Sequence, residues 1–130
     1  MSFADYWEDE ILDHLFGKGS YSPPTIYVGL STADPTDDGS GLAEPSGGSY
    51  ARVSTAAGDW NTSSGGTLDN ANAITFPQAT AAWGTVTHFA LFDAATAGNM
   101  LAHGTLDSSQ AISSGHTPEF AAGDLSVTLD

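Results

Sequence analysis

Cysteine is absent from this chain, and basic residues nearly so. Without cysteine there is no disulfide, no thiolate metal site and no cysteine nucleophile. Lys18 and Arg52 are the only bases against 16 acids, for a formal charge of −14. The acid count is ordinary for 130 residues, so the imbalance is a shortage of bases. A nucleic-acid binder neutralises several phosphates with Lys or Arg, which excludes nucleic acid as a partner. An anionic membrane surface is excluded on the same ground. A partner with a basic patch would instead be steered towards this chain. The Debye length falls from ~8 Å at ~0.15 M salt to ~3 Å at ~1 M, so so lysine-poor a surface is most at home in high salt.

Other absences narrow the function further. No apolar run approaches the ~20 residues of a membrane helix. The opening MSFADYWEDEILDHLF has Asp5, Glu8, Asp9 and Glu10 where a signal peptide has bases and an apolar stretch. The expectation is a protein made soluble in the cytoplasm. There is no internal repeat of ~20–50 residues and no heptad pattern. The Gly-x-Ser-x-Gly nucleophile elbow is missing. Leu12 stands where a phosphate loop ending at Gly17-Lys18 needs its first glycine.

The remaining candidates for chemistry are few. A metal site needs three or four convergent ligands. The histidines are His14, His88, His103 and His116, without a His-x-x-x-His pair. His88 and His103 fall on strands expected to pair, and read as two polar residues on one sheet face. Asp34-Pro-Thr-Asp-Asp-Gly39 clusters carboxylates as a calcium loop does, but with Asp34, Asp37 and Asp38 at the wrong offsets and Pro45 at the twelfth position. The plainer reading is a turn that uses Asp for its hydrogen bonds. Asn61-Thr-Ser63 matches a glycosylation acceptor and reads as an exposed loop. Tyr6, Trp7, Trp60 and Trp83 suit either interface anchoring or packing in the core and helix contact, of which packing is expected. No catalytic, cofactor-binding or metal residue is assigned.

What is present describes one domain over residues 1–130. Residues 1–17 read as an N-terminal docking helix. Ser2 stands as its cap with Asp5 three residues on. Phe3, Trp7, Ile11 and Leu15, with Leu12 and Phe16 beside them, form an apolar stripe, and Gly17 and Gly19 stop it. A helix this short needs something to dock on. From residue 25 to 130 the period is two. Strands are expected at 25–30, 50–57, 67–76, 84–93, 100–106, 111–112, 119–122 and 125–129. The 84–93 segment, apolar on both faces towards its end, reads as a central strand. Gly98-Asn99 reads as the turn into its hairpin partner. Ser31–Ser49 is a 19-residue loop, long enough to suggest a functional or interface arm. The fold class is therefore mainly β: an antiparallel β-sandwich or jelly-roll-like barrel of about eight short strands preceded by one N-terminal helix.

A set of motifs in fixed order carries a resemblance. They are Asp13-His-Leu-Phe-Gly17, Pro24-Thr-Ile-Tyr-Val-Gly-Leu-Ser-Thr-Ala-Asp-Pro35, Gly48-Ser-Tyr-Ala-Arg-Val53 and Ala73-Ile-Thr-Phe-Pro77. Trp83-Gly-Thr-Val-Thr-His-Phe-Ala-Leu-Phe-Asp93 and Phe120-Ala-Ala-Gly-Asp-Leu125 follow. Together they cover almost the whole chain. It resembles small tailed-virus proteins, some labelled tail-fibre-like and others capsid decoration (cement) proteins. The resemblance implies a virion component without enzymatic activity or cofactor, and carries over no site residue. The favoured expectation is a cement protein on the outer surface of the head. There it would be a homotrimer that clamps the major capsid protein lattice with its helix and long loop. The alternative is a tail, tail-tip or baseplate protein. A carbohydrate-binding β-sandwich module is the second alternative.

Overall fold

The segment from Gly84 to Phe92 lies at the centre of the molecule, as its apolar faces require. The computed structural model describes residues 1–129. In chain order its elements begin with β1 (Ser2–Phe3), α1 (Asp5–Leu15), β2 (Tyr27–Ser31) and β3 (Val53–Ser54). A 3-10 turn follows at Ala57–Asp59. Then come β4 (Thr67–Asp69), β5 (Ile74–Thr75), β6 (Gly84–Phe92), β7 (Met100–Ile112), β8 (Glu119–Phe120) and β9 (Ser126–Thr128). The protein is mainly β with one N-terminal helix, and every strand pair is antiparallel.

Five strands form one sheet in the order β1-β7-β6-β2-β3. Two ribbons, β4–β9 and β5–β8, pack over one of its faces. The register pairs Val28 with Leu91 and Leu91 with Ala102, and Leu30 with Phe89. Partners across a ladder share a face, so these residues make one apolar surface. Ile74, Phe76, Leu125 and Val127 close over it from the ribbons. Phe120 meets Phe89 edge-on with centroids 6.0 Å apart, which ties β8 to β6.

Among the described residues, nine strands replace the expected eight. Residues 2–3 add β1, 67–76 divides into β4 and β5 around the buried Asn70, and 111–112 is the end of β7. The 50–57 stretch shrinks to Val53–Ser54, because Ala51 has no neighbouring strand and lies exposed. The helix also begins later than expected. Ser2 is paired with His103 in the sheet, so Ala4 occupies the cap position, without a side-chain cap. The helix ends as expected. Gly17 has φ +72, Gly17 N donates to His14 O and Lys18 N donates to Asp13 O, which closes the last turn.

The long loop is the main departure. Residues 31–49 do not reach away from the domain; they fold back over the second face of the sheet. Ser31, fully buried, donates from Oγ to Ala33 O and accepts the Ala43 N–H. Pro35 and Pro45 are buried with it. Gly29 is the reason the loop sits so close: a Cβ there would stand 2.8 Å from the Phe92 ring and 3.0 Å from both Glu44 and Tyr50.

Candidate functional site

Four features call for a functional test, and the first three involve that loop. The first is the Arg52 clamp. Arg52 immediately precedes β3, and its side chain is 5% exposed. Its Nε and NH2 donate to the two Glu44 oxygens at 2.9 and 2.7 Å. NH1 donates to the carbonyls of Ala94 and Ala97 in the β6–β7 turn. The guanidinium carbon lies 3.4 Å over the Phe92 ring. One side chain thus joins the loop, β3 and the hairpin. Glu44 Oε1 also accepts the Tyr50 hydroxyl, whose pKa is raised chiefly by burial. No signal in the sequence marked Glu44 as the partner. The sole arginine is consumed here and is not offered to an anion.

The second feature is a Ser2, Asp37 and His103 cluster. His103 Nε2 lies 2.8 Å from Asp37 Oδ1, and Ser2 Oγ donates to the same oxygen at 3.0 Å. The carboxylate accepts only, so Nε2 carries the proton. These bonds hold the Asp37 carboxyl below its ordinary pKa, His103 contributing most. Nucleophile activation needs the imidazole between hydroxyl and carboxylate. Here the carboxylate is in the middle, so the cluster fastens the loop to β1 and β7 and has no catalytic geometry.

The acidic turn is the third feature. Two of its carboxylates bond within the turn itself, and Asp34 Oδ1 also lies 3.9 Å from His103 Nδ1. Asp34 Oδ1 accepts the Thr36 N–H, and Asp38 Oδ1 accepts the Thr36 hydroxyl and the Ser40 N–H. Those bonds, the Thr36 hydroxyl first, pull the Asp38 pKa down to about 2. Among the described residues, no three His, Asp or Glu side chains converge to hold a metal ion. His103 faces Asp37 rather than His88, which sits 2.7 Å from Thr87 Oγ1. His14 and His116 each accept a local backbone N–H, from Tyr21 and Ser113.

The fourth is the set of aromatics. Trp83 is buried, donates to Gly48 O and meets Tyr50 edge-on. Trp60 is half-buried and donates to Thr55 Oγ1. Trp7 lies against Phe3 at 4.7 Å, and with Tyr6 packs on the core. None stands free as a stacking platform. Asn61 lies in an exposed loop, as its motif suggested, bonded to Asp69.

Two surface features remain open. A groove of roughly 400 Å³ between the layers has Phe89, Leu106 and Phe120 on its floor and Asp107, Glu119 and Asp124 at its rim. The other is the end of α1, where Leu12, Leu15 and Phe16 are 54%, 69% and 77% exposed. Of the apolar stripe expected to dock, Phe3 and Trp7 pack on the core, joined by Tyr6, and Ile11 is half-buried. No described helix is long and apolar enough to cross a membrane.

No curated protein matches the chain. A family model described as podophage GP4 fiber I protein gp80 matches residues 2–128. The motifs that fix this fold, from the opening helix to the last strand, lie inside that match, and the chain belongs to the podophage GP4 fiber I protein gp80 family.

Proposed function

We propose that this protein is a structural component of a tailed-phage virion, a small module of its fibre or tail-tip apparatus, acting by binding and without catalysis. The observation that carries this reading is the fibre-family match over residues 2–128. The arrangement of Ser2, Asp37 and His103, with the carboxylate in the middle, supports a non-enzymatic role. The capsid cement reading, with the major capsid protein as partner and a homotrimer as the form, now ranks second. The family description names a fibre, and the loop invoked as a clamp between capsid subunits is occupied with its own sheet. The carbohydrate-binding reading is weaker still, because Trp60 is tied to Thr55.

Separating heads from tails decides between the first two. Quantitative mass spectrometry of purified tails is expected to find the protein, and heads freed of tails are expected to lack it. Its retention on tail-less heads in numbers matching the capsid lattice would restore the cement reading.

A further inference from the structure

We propose that the C-terminal end of α1 is a plug for a different virion protein, one that offers an apolar cleft rimmed by Lys or Arg. The inference rests on reading the chain as a virion component, and it names the kind of partner that reading requires. The first half of α1 is committed. Tyr6 and Trp7 pack on the core beside Phe3 of β1, and Asp5 N donates to Asp37 O. In the second half Ile11 is half-buried and His14 accepts the Tyr21 N–H, but the face carrying Leu12 is left uncovered. Leu12, Leu15 and Phe16 lie three and four positions apart, share one face, and are all more than half exposed. They are not on a frayed end, since the Gly17 turn closes the helix through Lys18 N to Asp13 O. An exposed apolar cluster at a fixed helix end is an interaction surface.

Charge selects the occupant. Glu8, Asp9 and Asp13 flank that cluster on the same helix. The chain carries −14; of its two bases Arg52 is already paired with Glu44, and exposed Lys18, two residues past Phe16, is outnumbered by Glu8, Asp9 and Asp13. A second copy would bring the same acids against these, and like charges at an interface oppose association. A basic rim would complement them, speed encounter and fix orientation.

The test uses whole particles. Virions are assembled with a Phe16→p-benzoylphenylalanine variant, irradiated, and the cross-linked peptides sequenced. The expected product joins residue 16 to a virion protein other than this chain, beside Lys or Arg. Cross-linking to a second copy, to a site without bases, or to nothing would overturn the proposal. In parallel, Leu15→Ser with Phe16→Ser is expected to melt like the wild type and to fall about tenfold or more in copies per particle. Undiminished incorporation, or a lowered melting temperature showing that these side chains serve the protein's own fold, would also overturn it. The wild-type control keeps the two readings apart. If the unmodified protein is missing from particles, the virion assignment fails first and the plug falls with it.

Discussion

Arg52 shows how much one side chain can carry when a sequence has almost no bases. Four of its donor contacts and one aromatic face are used at once. Removing one partner of a buried ion pair leaves the other charged and unsolvated. Arg52→Ala is expected to cost about 3 kcal/mol in urea unfolding. Arg52→Lys should recover only part, because an ammonium cannot match the fork of Glu44. A loss within error for Arg52→Ala would refute the clamp. Asn70 is a second such residue, and no local pattern in the chain marks it. Its side chain is fully buried, donates to Asn72 O and Ala121 O, and accepts the Leu125 N–H. Asn70→Ala strands three backbone groups and should cost about 3 kcal/mol. Ala97 works in the opposite sense. It holds φ at +52 to present its carbonyl to Arg52. A left-handed residue with a Cβ costs ~1–2 kcal/mol, so Ala97→Gly is expected to raise the melting temperature, unlike most glycine substitutions.

At the scale of elements, the 31–49 loop behaves as a lid bolted to the sheet. Its bolts are Glu44 to Arg52, Ser31 to Ala43, and Asp37 to His103 and Ser2. The Asp37 bolt is sensitive to acid. Its folded pKa lies below the usual 3.8. Between those two values the unfolded chain binds more protons than the folded one, so stability rises with pH there. The contribution is full above the unfolded value and is lost as pH falls through the folded one. Because Asp37 is 56% exposed, solvent screening holds the effect to under about 1 kcal/mol. Stability measured from pH ~5 down to ~2 should fall less steeply for Asp37→Asn than for the wild type. Identical slopes would show that Asp37 contributes nothing. Helix α1 is the other element whose role emerges only from packing. Its stripe was legible as apolar residues at helical spacing. That only its N-terminal portion is covered was not, because spacing does not say where a neighbouring surface ends.

For the whole molecule, the −14 charge is the largest single property. Self-repulsion of unbalanced acids opposes the folded state and is screened by salt. Raising sodium chloride from ~0.05 to ~1 M is therefore expected to raise the melting temperature. A flat or falling dependence would mean that the acids are too dispersed on the surface to matter. The sequence by itself determined the class: alternating apolar residues punctuated by Gly and Pro made β structure, and residues 84–93 marked their own centrality. It also determined the exclusions that follow from missing cysteine and missing bases. These are properties of composition and of near neighbours along the chain, which local chemistry enforces. Tertiary structure decided the rest. It turned the long loop inward, set His103 against Asp37, and left the end of α1 uncovered. Each depends on groups from distant parts of the chain meeting across a sheet, as Glu44, Arg52 and the β6–β7 turn do. Such meetings are fixed by register and close packing, and neither is written in any one stretch of sequence.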